Sequence, residues 1–503
     1  MPKHSSTLFP AINPIDKDSA VPLHKQLYER FRDAVLNGQL RAGARLPSTR
    51  ELAAHLGISR NTVMTAFEQL FTEGFLTGKV GAGTFVTEQL VQHSPLAINL
   101  AEPPFVPVGA ASCISELLSR QQREYFLDSL GPFRASVPAL DLFPWATWHS
   151  LLSQCARRQT RAQLAYSGAL GLQPCREAIA NYLRMARNVR CHAEQIIIVS
   201  GSQQALCLAA QVLLEHGDLV WLEEPGYAGA RDAFLLSGLV LGPVPVGDAG
   251  LNIDLGRQLF PNARMAYVTP SHQYPLGVTM PLQRRMELLE WAATNDAWII
   301  EDDYDSEYRY ASRPVSSLQG LAEQNRVIYI GTFSKVLFPS LRVGYMVVPE
   351  PLVDRFLAVR KASDIFAPPL FQMVLTEFIN QGHFARHIRR MRGVYSERRD
   401  ELIACLEQEL GDRVQVGAAE SGTHLVLYPK QELDDISLCK AAARHGIVAM
   451  PLSACYFAAP KRSGIVLGFG GTDLAQIRRA VWLLRNAFDE VAVTKTDFRA
   501  PSR

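Results

Sequence analysis

Val327-Ile328-Tyr329-Ile330-Gly331-Thr332-Phe333-Ser334-Lys335 is a short apolar run that breaks into small polar residues and then a lysine. Similar runs occur at Ile196 to Val199, Leu219 to Leu222, Met265 to Val268, Trp298 to Ile300 and Val343 to Val348, with helical stretches between them. Alternation of buried strands and helices predicts an α/β domain on a mostly parallel sheet. Several runs end directly in polar or glycine-containing motifs, and ligands of open α/β sheets gather at strand carboxyl ends. The motifs are therefore expected to share one cleft.

Ser200-Gly201-Ser202-Gln203-Gln204-Ala205-Leu206 would open a helix with free N–H groups and a hydroxyl, a seat for phosphate. Alone, it looks the same as any capped helix start. Pro225-Gly226-Tyr227 places an aromatic ring where a flat cofactor stacks, although a core tyrosine carries the same signature. Ile299-Ile300-Glu301-Asp302-Asp303-Tyr304-Asp305 delivers carboxylates and a phenol. A carboxylate facing a pyridine nitrogen keeps it protonated, and a phenol holds the ring's 3-oxygen. Clustered acids also suit a divalent cation. Lys335 and Arg342 downstream favour pyridoxal phosphate instead: a lysine of lowered pKa forms a Schiff base, and Thr332 with Arg342 completes a phosphate grip.

The first ninety residues read differently. Leu23, Leu27, Phe31 and Val35 predict an amphipathic helix that stops at Asn37-Gly38. Ser48-Thr49-Arg50-Glu51 is a capping box for a second helix, which buries Leu52, Ala53 and Leu56 and ends at Gly57. A third helix follows Ser59, with Val63, Phe67 and Leu70 inward and Arg60, Asn61 and Thr62 outward near its N-terminus. Phe75-Leu76 and Thr84-Phe85-Val86 flank a glycine-rich segment from Thr77 to Gly83 and predict a two-stranded wing. This geometry places one helix in the major groove of double-stranded DNA; the alternative is a small helical packing domain. Arg60 is the candidate for guanine readout, and Arg50 and Lys79 for backbone contacts.

Charge is consistent with this division. Residues 21–87 carry eight Lys/Arg against five acids, and the whole chain has a net charge of +2. The eight cysteines show no paired metal spacing, so neither a disulfide framework nor a zinc site is expected. No apolar run is long enough to cross a bilayer, and the N-terminus lacks a leader pattern, which gives a cytoplasmic expectation. The expected organisation is a tail over 1–20, the DNA-binding domain over 21–87, a proline-interrupted linker over 88–131, the large domain over 132–495 and a tail over 496–503.

Arg45-Leu46-Pro47-Ser48-Thr49-Arg50-Glu51-Leu52-Ala53 with Gly57-Ile58-Ser59-Arg60-Asn61-Thr62-Val63 resembles the GntR-type winged helix. The large domain resembles fold-type I aminotransferases. The whole chain is similar to the MocR subfamily of GntR regulators, through Thr269 to Gly277, Glu301 to Glu307 and Gly382 to Arg392. The resemblance implies Lys335 as the Schiff-base lysine, Asp302 on the pyridine nitrogen, Tyr304 on the 3-oxygen and Tyr227 against the ring. Ser202, Gln203, Thr332 and Arg342 would hold the phosphate, and Tyr166 would reach a neighbouring subunit in a homodimer. Asp303 is the alternative to Asp302, since neighbours on a strand face opposite ways.

Two departures bear on function. Tyr274 stands where many aminotransferases have an asparagine that contacts the 3-oxygen. Val466, in Ile465-Val466-Leu467-Gly468-Phe469, stands where an arginine ordinarily clamps a substrate carboxylate. Arg231 and Arg462 are possible substitutes, each read as a surface residue. The expected function is transcription regulation by a small-molecule sensor, the effector being an amino compound or pyridoxal phosphate itself. A working aminotransferase with an appended DNA module is the alternative.

Overall fold

A computed structural model describes residues 15–79, 83–87, 113–120, 130–310, 316–458 and 462–497. The chain divides into two compact units, Met1–Ala111 and Ser112–Arg503.

The first unit contains α1 (Leu23–Leu36), α2 (Thr49–Leu56), α3 (Arg60–Thr72), β1 (Leu76–Lys79) and β2 (Gly83–Val86). Leu27 and Phe31 of α1 meet Val63, Phe67 and Leu70 of α3 in one apolar core, with Phe31 edge-on to Phe67 at 5.4 Å. The capping box is present: the Ser48 hydroxyl accepts the Glu51 N–H, and the Glu51 carboxylate accepts the Ser48 N–H. Gly57 ends α2 at φ +60, a conformation that disfavours a side chain. The wing strands are antiparallel and longer than the sequence suggested, pairing Leu76 with Val86 and Lys79 with Gly83. Ile15 packs against this core, and the Gln26 amide bonds the Asp16 and Val21 carbonyls, so the fold reaches back before Val21.

The second unit is built on β3 (Ile196–Val199), β4 (Leu219–Glu224), β5 (Val240–Gly247), β6 (Gly250–Leu251), β7 (Met265–Val268), β8 (Trp298–Asp303), β9 (Val327–Thr332) and β10 (Gly344–Val347). Their order across the sheet is β3-β10-β9-β8-β7-β4-β5-β6. The pairs from β9 through β5 are parallel, whereas β10 runs antiparallel to both β3 and β9. All six apolar runs are strands, several of them buried along their whole length, as expected where helices cover both faces of a sheet. β5 was not legible because Pro243 and Pro245 argue against a strand; it is tolerated with β4 on one side and only the two-residue β6 on the other.

A smaller antiparallel sheet is formed by β11 (Val414–Val416), β12 (His424–Pro429), β13 (Met450–Pro451) and β14 (Ile465–Gly468). The helix His383–Leu410 packs beside Leu474–Asp497 and buries Phe384, Met391, Tyr395, Leu402 and Leu406. The linker reading over 88–131 lies outside the described residues, except for the helix Cys113–Arg120 and residues 130–131. Cys155, Cys175, Cys191, Cys207, Cys405, Cys439 and Cys455 form no disulfide.

Ser48→Ala removes one side of the capping box. It is expected to destabilise the first unit by about 1 kcal/mol, measurable as a lower denaturant midpoint for unfolding of that unit in the full chain.

Candidate cofactor site

Strand β8 carries three consecutive buried carboxylates, and each has a different environment. Glu301 accepts the Leu318 and Gln319 N–H groups, each at 2.9 Å, and lies 3.8 Å from the buried Arg285 guanidinium. Asp303 accepts from Arg187 at 2.8 Å and from the Tyr329 hydroxyl. Asp302 faces the opposite way. Its Oδ2 accepts the Tyr267 hydroxyl at 2.9 Å, while its Oδ1 is buried without a partner among the described residues. Burial pushes the Asp302 carboxyl up to about 7, against the pull of Lys335. Asp303 is held in an ion pair, whereas Asp302 is the one of the two whose charge acts on Lys335.

Lys335 follows β9 and is half-buried, with its Nζ 3.4 Å from the Ser136 carbonyl. Desolvation brings its ammonium down to about 8; Asp305 and Asp302 oppose that shift, and Arg342 and Arg134 add to it. Thr332 is buried at the end of β9, and its hydroxyl accepts the Ser334 N–H at 3.2 Å. Arg342 takes a left-handed backbone, φ +51, and its guanidinium lies against Gly201. A Cβ at Gly201 would come within 3.1 Å of that guanidinium, so only glycine leaves this cradle open. Gly201 precedes the helix Ser202–Leu213, which has no side-chain cap, leaving its first N–H groups for an anion. Ser202 is half-buried and Gln203 exposed on its first turn. The Gln203 amide and the Tyr227 hydroxyl both lean over Gly229, where a Cβ would sit within 2.5 Å of each. Tyr227 also feels Asp302 and Arg342, and burial lifts its phenol to about 12.

The open acceptor of Asp302, the lowered amine of Lys335 and the Gly201–Arg342 cradle fit pyridoxal phosphate, which carries a pyridine nitrogen, an aldehyde and a phosphate. The wall is aromatic: Tyr274 lies 5.9 Å from Tyr227, 6.1 Å from Tyr304 and 5.4 Å from His424, centroid to centroid. Tyr267, His272, His424 and Arg134 are participants that motif reading missed. Atoms of His272, Asp305 and His424 that could bind a metal lie within 4.8 Å of one another.

The candidate carboxylate clamps fare differently. Val466 is fully buried in an apolar cluster with Val426, Tyr428, Leu452 and Tyr456. Arg231 is not a surface residue: it is buried in the helix Ala228–Leu236, paired with Asp232 and lying over the Phe457 ring, because Ala230, Ala233 and Phe234 draw that helix inward. Arg462 is exposed, stacks 3.4 Å over Tyr428, bonds Gln415 and lines a cavity of about 410 Å³. Tyr166 is exposed, with Phe366 as its ring neighbour at 6.1 Å. In the first unit, Arg50, Arg60 and Asn61 are exposed on α2 and α3. Thr62 is half-buried; Ser59 caps α3 by accepting the Thr62 N–H, and the two hydroxyls lie 2.8 Å apart. Lys79 closes β1.

Residues 147–481 match the profile of aminotransferase class I and II, and residues 23–86 that of bacterial regulatory proteins of the gntR family. An α-aminoadipate aminotransferase, LysN of Thermus thermophilus, superposes with a TM-score of 0.68 at 28% identity, covering 76% of this chain and 96% of its own. A gntR winged helix joined to an aminotransferase fold defines a class of regulators with an enzyme-like body. The probable rhizopine catabolism regulatory protein MocR of Rhizobium meliloti is 40% identical over 94% of this chain and 95% of its own. The pyridoxine biosynthesis transcriptional regulator PdxR of Corynebacterium glutamicum is 32% identical over 96% and 98%. The chain belongs to the MocR-type GntR transcription regulators.

Because the folded Lys335 amine titrates near 8 rather than at the ordinary 10.5, the unfolded chain holds that proton more tightly. The buried charge therefore weakens the fold below pH 8, and the penalty fades as pH rises from 8 to 10.5. Lys335→Met is expected to stabilise cofactor-free protein at pH 7 by at most about 3 kcal/mol. The gain should shrink over that window in urea titrations.

Proposed function

We propose that the large domain holds pyridoxal 5'-phosphate and reports a small molecule to the DNA-binding unit. The observation that carries this reading is the combination of a complete cofactor constellation with Val466 at the clamp position. Lys335 tethers the cofactor, Asp302 meets its pyridine nitrogen through Oδ1, and Tyr304 meets its 3-oxygen. Tyr227 lies against the ring, and Ser202, Gln203, Thr332 and Arg342 hold the phosphate. The bound cofactor supplies an aldehyde that condenses reversibly with a primary amine. Tyr166, exposed in a single chain, fits a contact to the phosphate of a second subunit, which makes the working unit a homodimer.

Arg60, Asn61 and Thr62 reach base edges and phosphates in the major groove of operator DNA, and Arg50 and Lys79 hold the backbone. Effector binding shifts how the two DNA-binding units are disposed, a coupling between separate sites. The absence of a helix long and apolar enough to span a membrane, among the described residues, suits a cytoplasmic regulator.

Two effectors fit the site. A relative named for pyridoxine biosynthesis supports the cofactor itself as signal, and one named for rhizopine catabolism supports a catabolic small molecule. With Val466 buried among apolar residues, the amine that fits lacks an α-carboxylate. Turnover as an aminotransferase is the lesser reading, because Val466 rather than an arginine stands at the clamp position.

The deciding experiment measures binding to the chain's own upstream intergenic DNA at fixed salt. Cofactor-free protein, cofactor-loaded protein and Lys335→Ala are compared. A lysine-dependent change in affinity or footprint is expected; the absence of specific binding would favour the enzyme. In the loaded protein, a primary amine should perturb the cofactor absorption band at concentrations at least about tenfold lower than the corresponding α-amino acid, the discrimination that a missing bidentate pair allows. Equal potency, measured with putrescine against ornithine, would sink the amine preference.

A further inference from the structure

His272 and Asp305 have no part in the assignments above, yet they control the phenol that does. His272 Nδ1 lies 3.0 Å from both Asp305 oxygens and 3.0 Å from the Tyr304 hydroxyl. The His272 and Asp305 side chains are only 1% and 2% exposed. A ring lone pair facing a buried carboxylate at that distance would be strongly repelled, so Nδ1 carries a proton. This holds whether the ring is neutral or cationic. Nδ1, its proton facing Asp305, then has no lone pair to offer, so the Tyr304 hydroxyl cannot donate to it. The Tyr304 hydroxyl proton is left to point elsewhere, and it makes no other hydrogen bond among the described residues.

The surroundings hold the pair in place. His272 Nε2 is buried without a partner, beside the His424 ring at 4.9 Å. Burial pushes His424 down to about 3, so it is neutral, and its Nε2–H is given to the Pro275 carbonyl at 3.1 Å. A Cβ at Gly422 would come within 1.9 Å of His272 Cε1 and 2.7 Å of Asp305 Oδ2, so the backbone there presses directly on the pair. The charged groups acting on Lys335 are Asp305, Asp302, Arg342 and Arg134.

We infer that Asp305 and His272 are a positioning pair that fixes the direction of the Tyr304 hydroxyl proton, making Tyr304 an obligate donor toward the cofactor's 3-oxygen. The inference rests on the cofactor reading above. It has a signature that plain electrostatics lacks. A donor on the 3-oxygen favours the deprotonated chromophore, so losing it raises the midpoint of the cofactor's pH titration. Losing the negative charge of Asp305 lowers that midpoint. Asn in place of Asp305 leaves both imidazole tautomers available, so that Tyr304 can give its proton to Nδ1.

Full-length loaded protein is titrated by absorbance as wild type, Tyr304→Phe, Asp305→Asn and the double variant. Tyr304→Phe is expected to raise the midpoint by about one pH unit, tenfold in proton affinity. The effect of Asp305→Asn should be more upward in the wild-type background than in the Tyr304→Phe background, by at least about threefold in proton affinity. His272→Asn, which keeps an N–H near the Nδ1 position, should hold the midpoint closer to wild type than His272→Ala does. Additive shifts, or equal shifts from the two His272 variants, would overturn the pair while leaving the cofactor reading intact. No absorption band distinguishing wild type from Lys335→Ala would overturn both.

Discussion

The site depends on the alternation of side chains along one buried strand. Glu301, Asp302 and Asp303 are adjacent on β8, and all three are removed from water. Three unpaired carboxylates in such a place would each cost several kcal/mol or take up a proton. The fold separates them. Glu301 is answered by backbone N–H groups and Arg285. Asp303 is answered by Arg187 and Tyr329 on the opposite side from Asp302. Asp302 has no ion pair among the described residues: one oxygen accepts the Tyr267 hydroxyl, and the other, like Asp303 Oδ1, is buried without a partner there. Of the two aspartates, it is Asp302 whose charge acts on Lys335.

Much of this was readable from residues close in sequence. The six apolar runs are strands because their lengths and flanking polar motifs admit little else, and Ser48 with Glu51 announced the start of α2. The choice between Asp302 and Asp303 was not readable, since alternation says that they part company but not which one faces the lysine. The environments that distinguish them involve Arg187 and Tyr329, residues 116 and 26 positions away from Asp303. The neighbourhood of His272 and His424 was not readable for the same reason: it arises where the loops after β7 and β8 meet the start of β12. Arg231 was misjudged because a charged residue on a short helix reads as exposed, although the small and apolar residues around it place that helix in the core.

The same logic separates the binding surface of the first unit from its scaffold. At the start of α3, Ser59 holds the helix end by accepting the Thr62 N–H, while Arg60 and Asn61 keep exposed side chains. A cap and an exposed polar surface thus occupy consecutive positions. This is possible because capping draws on residues at the helix axis, whereas contact with a groove draws on those that project from it.

Val466 carries an energetic implication. It sits with no solvent exposure on β14, between Val426 on β12 and Met450 on β13, and beneath Tyr428 and Tyr456. Once an apolar cluster has closed around such a position, returning a guanidinium to it means burying a charge with no counter-ion. That penalty, several kcal/mol, is a large share of ordinary domain stability. A lone Val466→Arg substitution would therefore weaken this wall before it could offer a clamp.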